Sequence, residues 1–145
     1  MTTDGIKEPL LLTIAVLGGT GKEGKGLAYR WAKAGYKVLI GSRSEERAVT
    51  AASEIMELAE GSTSIVGTSN HEAAQLADIV VLTVPFAAHR ETLESVKDVL
   101  KGKTLIDVTV PLVPPKVTKV QMPSAGSAAQ EAKEIVGEGV EVVAA

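Results

Sequence analysis

The fold is decided by the stretch Thr13-Ile14-Ala15-Val16-Leu17-Gly18-Gly19-Thr20-Gly21-Lys22-Glu23-Gly24, in which a short apolar run meets a glycine-rich turn. The apolar run does not alternate with polar residues, which is typical of a parallel strand buried on both faces. The glycines follow the spacing GxGxxG at Gly19, Gly21 and Gly24. Because a helical pattern begins at Lys22, this spacing lies in the strand–turn–helix context that predicts a dinucleotide-binding loop.

Each glycine of the GxGxxG motif has its own physical role. Gly19 permits the tight turn, Gly21 lets a pyrophosphate approach the backbone, and Gly24 lets the helix pack closely on the strand. The amide groups and dipole of the helix that begins at Lys22 then face the phosphates. A glycine-rich turn without a ligand is the alternative. A Walker A loop is excluded, since the loop holds no Gly-Lys-Ser/Thr triplet.

The remaining chain alternates short apolar runs with segments of helical periodicity. The six predicted strands are Thr13–Leu17, Lys37–Ile40, Ser64–Val66, Ile79–Val84, Thr104–Val108 and Val140–Val143. The five predicted helices are Lys22–Ala34, Ser44–Glu60, Asn70–Ala77, Ala87–Leu100 and Ser127–Val136. This alternation predicts an α/β fold, a Rossmann-type doubly wound parallel sheet of six strands in the order 3-2-1-4-5-6. The proline-rich stretch from Pro111 to Pro123 is predicted to be an ordered, extended loop.

The end of the second predicted strand indicates which dinucleotide is bound. An NAD-binding domain usually has an acidic residue there, about 20 residues after the glycines, to hold the ribose 2′-hydroxyl. This chain has Ser42 and Arg43 instead, and Arg47 follows one helical turn later. A guanidinium binds a 2′-phosphate that a carboxylate would repel. We therefore predict NADP(H), although solvated surface charges are the alternative for both arginines.

The carboxyl end of the fourth predicted strand lies at the same edge of the sheet. It reads Thr83-Val84-Pro85-Phe86, where dinucleotides extend toward the nicotinamide. We expect Thr83 and Pro85 to line that crevice. Phe86, the only phenylalanine, either packs on the cofactor or belongs to the core. The stretch after the fifth strand, residues 108–114, is expected to line the nicotinamide pocket.

Composition excludes several other classes of function. The 145 residues include no cysteine, so thiol nucleophiles and thiolate zinc sites are absent. A net charge of −3 and only four aromatic residues argue against nucleic acid and anionic membranes as partners. The apolar run Pro9–Leu17 lacks the basic flank of a signal peptide and is too short to span a membrane. We expect a cytoplasmic protein.

The polar residues predict neither a catalytic group nor a metal site. His71 precedes Glu72, but no second histidine follows at the HExxH spacing. His89, early in a helix near the crevice, is expected to be a solvated helix residue, and contact with a substrate is the alternative. Asp107 has no histidine or serine near it in the sequence. Hydride transfer between two organic cofactors would need no such group, because the chemistry belongs to the cofactors.

Several of these motifs together resemble the NADPH-dependent reductases of the 5-deazaflavin coenzyme F-420. The resemblance rests on the segments 14–26, Gly41-Ser42-Arg43, Leu82–Pro85 and Pro111–Pro114, and covers about residues 13–145. It implies an enzyme in which a hydride passes directly between NADP(H) and the deazaflavin. Carried over by position, it implies that the cofactor is bound by Thr20, Gly21, Lys22, Glu23, Ser42, Arg43, Arg47, Phe86, Val113 and Ala145. A histidine of the family corresponds to Ala88, with His89 one place away.

The resemblance also implies a division of the longer family chains. They continue past the sixth strand into a helical domain that completes the deazaflavin pocket and the dimer. We accordingly expect residues 1–12 to be an N-terminal extension and residues 13–145 to be the NADP-binding domain, with the substrate domain absent and a homodimer formed where it is present. The alternatives are a non-catalytic NADP(H)-binding module and the NADP-binding domain of a reductase that acts on metals or imines.

Overall fold

A computed structural model of the chain describes residues 12–18, 20–59, 64–108, 112–113, 116–120, 128–137 and 139–144. No helix within these residues is both long and apolar enough to cross a membrane.

The main sheet contains six parallel strands. Numbered along the chain, the six strands have the predicted order 3-2-1-4-5-6. The apolar runs of the sequence form these strands, as expected for strands that are covered on both faces. The strands are β1 Thr13–Leu17, β2 Lys37–Ser42, β3 Ile65–Ser69, β4 Ile79–Leu82, β5 Thr104–Asp107 and β8 Glu141–Ala144. The predicted Rossmann-type sheet is therefore confirmed.

The two faces of the sheet bury two separate apolar cores. Side chains alternate across β1, so that Ile14 and Val16 belong to one core while Ala15 and Leu17 belong to the other. The first core is covered by the first two helices and the second core by the other three. The helices are α1 Lys22–Lys33, α2 Glu45–Leu58, α3 Asn70–Leu76, α4 His89–Val96 and α5 Ala128–Val136.

Several predicted elements and boundaries need correction; the second and third strands, for example, extend to Ser42 and Ser69, beyond the predicted ends at Ile40 and Val66. The proline-rich stretch is not simply an extended loop, because β6 Leu112–Val113 and β7 Lys116–Val120 pair antiparallel in a second, two-stranded sheet. The fourth predicted helix is shorter than expected, since α4 lies between 3₁₀ turns at Phe86–Ala88 and Lys97–Val99. The fourth strand ends at Leu82 rather than Val84, because the chain turns there toward the crevice described below.

A lysine that directly precedes β5 stabilises the end of α3. Lys103 Nζ donates hydrogen bonds to the carbonyl oxygens of Ala74, Gln75 and Ala77 at 2.8, 2.7 and 2.6 Å. Because the last carbonyls of a helix have no partner within it, the ammonium group satisfies groups at this end and complements the negative end of the helix dipole. Burial lowers the pKa of Lys103 below its usual value.

Glycine at position 67 allows α2 to pack directly on β3. A Cβ built on Gly67 would overlap the carbonyl group of Ala48 in α2. Gly26 is the opposite case, since it lies on the exposed side of α1 and a Cβ there would meet no atom within 4 Å. Glycine is thus required by packing at position 67, whereas at position 26 only its low helix propensity matters.

We expect opposite results from the same substitution at these two positions. Gly67→Ala should lower the free energy of unfolding by about 1–3 kcal/mol, because α2 must move off the sheet. Gly26→Ala should raise it by about 0.5–1 kcal/mol, because alanine favours a helix interior. Urea denaturation followed by circular dichroism measures both. A Gly67→Ala variant as stable as the wild type would contradict the packing of α2 on β3.

Candidate functional site

A crevice of about 1070 Å³ runs along the carboxyl ends of the strands. It lies where β1 has β2 on one side and β4 on the other, so that the chain order reverses at this point. Doubly wound sheets bind their ligands at such a switch point. The lining residues are Gly18, Thr20, Gly21, Lys22, Glu23, Gly24, Ser42, Arg43, Ser44, Arg47, Asn70, Thr83, Val84, Pro85, Ala88, Thr92 and Val108.

The glycine loop is held in place from both sides. Gly18 has φ +74°, and its N–H donates to the carbonyl oxygen of Gly41 at 3.0 Å. Thr83 Oγ1 donates to the carbonyl oxygens of Leu17 at 2.9 Å and Gly18 at 3.2 Å. A Cβ on Gly18 would lie 2.5 Å from Val84 Cγ1, so both the backbone conformation and the packing require glycine here. The tight turn predicted for Gly19 lies outside the described residues.

The first turn of α1 opens onto the crevice. Gly21 is the N-cap residue, and as a glycine it has no side chain to accept a hydrogen bond from the first amide groups of this helix. Gly21 has an ordinary φ of −80°, and its nearest contact for an added Cβ is 3.8 Å away. Glycine at this position is therefore not needed by the fold, but it leaves the amide groups accessible from the crevice. Unpaired N–H groups at a helix N-terminus attract phosphate.

The second group of polar residues lies at the end of β2 and the start of α2. Ser42 is buried, and its Oγ accepts a hydrogen bond from the N–H of Ser44 at 3.2 Å. Ser44 in turn is the N-cap of α2, since its Oγ accepts from the N–H of Arg47 at 3.3 Å. These bonds order the turn from which both arginines extend.

The two arginines at this end of the crevice are exposed. Arg43 Nη1 lies 3.8 Å from Glu91 Oε1, and both side chains are more than two-thirds exposed. A contact of this kind contributes little free energy, so Arg43 can exchange it for another anion. Arg47 lines the crevice as well, and no carboxylate accompanies the arginines among the lining residues from β2 or α2.

The structure brings together most of the residues that the sequence predicts for the site. Those in the crevice are Thr20, Gly21, Lys22, Glu23, Gly24, Ser42, Arg43, Arg47, Thr83 and Pro85. The predictions for Gly19 and Ala145, for the ring of Phe86 and for the side chain of Val113 lie outside what the structure describes.

Comparison with known proteins identifies the chain's relatives. A family model described as "NADP oxidoreductase coenzyme F420-dependent" matches residues 13–111. An F420-dependent NADP reductase of Methanothermobacter marburgensis is 53% identical over 102 residues, which are 70% of this chain and 46% of that protein. An F420-dependent NADP reductase of Methanocaldococcus jannaschii is 37% identical over 133 residues, or 88% and 59%. The chain belongs to the F420-dependent NADP oxidoreductase family.

The chain spans about half the length of the curated relatives that it matches. The fold also resembles that of a solved structure from Arthrobacter sp. FB24, which is described as an F420-dependent NADP reductase. That likeness has a TM-score of 0.75 at 24% identity and covers 92% of this chain and 61% of the other. At this identity it supports the fold alone.

A buried histidine–aspartate pair lies behind the crevice, and sequence reasoning missed it. His89 Nε2 and Asp107 Oδ2 are 2.7 Å apart, and their side chains are 0% and 1% exposed. The expectation that His89 is a solvated helix residue is therefore wrong. The neighbouring residues Ala88 and Val108 line the crevice, so the pair connects the start of α4 to the end of β5 directly behind that wall.

An exposed pair of the same chemistry provides a natural comparison. His71 Nε2 lies 3.0 Å from Asp98 Oδ2, with side chains 46% and 68% exposed. The hydrogen bond with His71 lowers the pKa of Asp98 below its usual value. Water screens this pair, whereas the His89–Asp107 pair is closed off from solvent.

We expect the two histidines to differ sharply when each is replaced by alanine. His89→Ala should lower the free energy of unfolding by about 3 kcal/mol, because it removes a buried partner of Asp107 and leaves a cavity. His71→Ala should leave the urea midpoint close to that of the wild type. Equal effects in urea titrations would show that the buried pair does not hold α4 to β5.

Proposed function

We propose that residues 13–145 form the NADP-binding domain of an oxidoreductase that transfers a hydride between NADP(H) and the deazaflavin coenzyme F-420. The observation that carries the proposal is the pair of arginines beside Ser42 at the end of β2, in a crevice whose other end is a glycine loop. Membership of the F420-dependent NADP oxidoreductase family and the names of the relatives support the choice of both cofactors. When bound, the two cofactors supply the hydride chemistry themselves.

The residues of the crevice fit a phosphorylated dinucleotide. The absent side chain of Gly21 leaves room for a pyrophosphate against the open amide groups of α1. Arg43 and Arg47 would hold a 2′-phosphate, and the backbone N–H groups of the turn before α2 would lie beside it. Both groups line the same crevice, so one extended ligand would contact both.

The remaining site residues have positioning roles in this proposal. Thr83 already donates its hydroxyl hydrogen to the glycine loop, so it keeps the loop in place and retains lone pairs for a ligand. Pro85 would form the wall near the nicotinamide. The proposed contacts of Phe86, Val113 and Ala145 with the cofactor rest on the family pattern, and the role of Gly19 rests on the GxGxxG spacing. A cytoplasmic location and a homodimer of the longer family chains belong to the same proposal.

The choice of NADP(H) over NAD(H) is tested by titrating both reduced cofactors against the protein. We expect NADPH to bind at least about tenfold more tightly than NADH, because charge-assisted hydrogen bonds to a 2′-phosphate contribute about 1.5–3 kcal/mol. Arg43→Ala should remove most of that difference while leaving NADH binding nearly unchanged.

Arg30→Ala is the matched control, because Arg30 is an exposed arginine of α1 that does not line the crevice. It should leave both affinities unchanged, which excludes a general effect of lost positive charge. Equal or tighter binding of NADH by the wild type would contradict the assignment of the 2′-phosphate site.

The identity of the second cofactor is tested by turnover. With NADPH in excess, we expect the protein to bleach the absorbance of the oxidised deazaflavin and to leave riboflavin and FMN unreduced. Reduction of flavins at the same rate would refute deazaflavin specificity and leave the NADP(H) assignment intact. Tight NADPH binding without turnover of any acceptor would favour the non-catalytic binding module.

A further inference from the structure

Asn70 lies on the floor of the crevice at the junction of β3 and α3. It is only 7% exposed, and it is nevertheless one of the residues that line the crevice. The register of the sheet pairs the preceding residue, Ser69, with Ser42 of β2. Asn70 therefore lies next to the end of β2 from which the proposed 2′-phosphate site extends.

The oxygen of the Asn70 side-chain amide has no partner in the described part of the protein. This atom, Oδ1, is also buried. A buried amide without a partner lowers stability, so such a group is rare unless something else requires it.

The usual local role of asparagine does not explain this residue. Asparagine is common at helix N-caps, where its oxygen accepts from the backbone. In α3 that role belongs to Ser69, whose Oγ accepts from the N–H of Glu72 at 3.2 Å. Asn70 is thus free of any capping role.

A glycine in the adjacent strand β2, Gly41, leaves room for the Asn70 amide. A Cβ on Gly41 would lie 2.8 Å from Asn70 Oδ1 and 2.9 Å from Leu17 Cδ2. Glycine within a strand weakens it and often marks a close approach of other groups. The glycine in the strand and the unpaired oxygen of Asn70 thus each lower the stability of the fold at the same point of the crevice floor.

We propose that the Asn70 amide binds the adenosine half of the dinucleotide, as a recognition residue beyond those that the family pattern supplies. The inference rests on the proposed function, because it assumes NADP(H) in this crevice. An amide is both donor and acceptor, so it complements the ribose hydroxyls and the adenine edge, which also carry both kinds of group. Its position beside Ser42 assigns it to the adenosine end and not to the nicotinamide end.

The test compares NADPH with adenosine 2′,5′-bisphosphate, a probe that contains only the adenosine half. Asn70→Ala should raise the Kd of both ligands by the same factor, about five- to tenfold, as expected for the loss of one or two hydrogen bonds. Asn70→Asp keeps the shape of the side chain but lacks the donor and adds a charge near the 2′-phosphate. It should weaken both ligands more than alanine does.

Gln75→Ala is the matched control, since Gln75 lies on the same helix and its side chain is exposed. It should change neither Kd by more than about twofold. Circular dichroism and thermal unfolding of the ligand-free variants show whether each one folds. If the alanine variant does not fold, the aspartate variant decides the question.

Three results would overturn the inference, and they are distinct from a failure of the proposed function. Unchanged affinities in folded Asn70 variants would mean that the residue only packs. Weaker NADPH binding with unchanged binding of adenosine 2′,5′-bisphosphate would place the contact in the nicotinamide half. Full affinity in Asn70→Asp would exclude a donor role. A wild-type protein that binds neither ligand would instead refute the proposed function itself.

Discussion

The hydrogen bonds that hold Gly18 between β2 and β4 are the constraint on which the site depends. Its N–H donates to Gly41 on one side, and its carbonyl oxygen accepts from Thr83 on the other and from the N–H of Gly21 at 3.3 Å. These bonds determine where the chain leaves β1 and in which direction α1 begins. Since the amide groups of α1 open onto the crevice, the geometry of any phosphate site follows from this one turn.

The position of the arginines at the crevice depends on the close packing of α2 on β3. Arg43 and Arg47 extend from the turn and first helical residues after β2, so their positions follow from the way α2 lies on the sheet. Gly67 allows that packing, because any side chain there would meet the backbone of Ala48. A residue in β3 with no contact to a ligand therefore controls where the guanidinium groups lie. Packing and recognition are coupled through the rigid body of α2.

Sequence patterns predicted the sheet and most of the crevice because both depend on local signals. Apolar runs, glycine spacing and the Ser42–Arg43 pair are each read within a few residues. The His89–Asp107 pair was missed because its members lie 18 residues apart on different elements. One signal was available, since His89 continues the buried stripe of Leu93 and Val96 at helical spacing. The pairing of β6 with β7 was missed because prolines obscure the strand pattern there.

Two features along the crevice lack the side-chain partners that are found elsewhere in the protein. Buried polar side chains such as Thr68 and His89 have such partners, since Thr68 Oγ1 donates to Glu72 Oε1 at 2.9 Å and His89 Nε2 lies 2.7 Å from Asp107 Oδ2. Along the crevice, the first turn of α1 has no side-chain cap from its N-cap residue, and Asn70 Oδ1 has no partner within the part of the chain that the structure describes. A sequence selected for stability alone would fill or cap these positions. Their persistence on a single surface, at the switch point of the sheet, is what a site for an extended polar ligand requires.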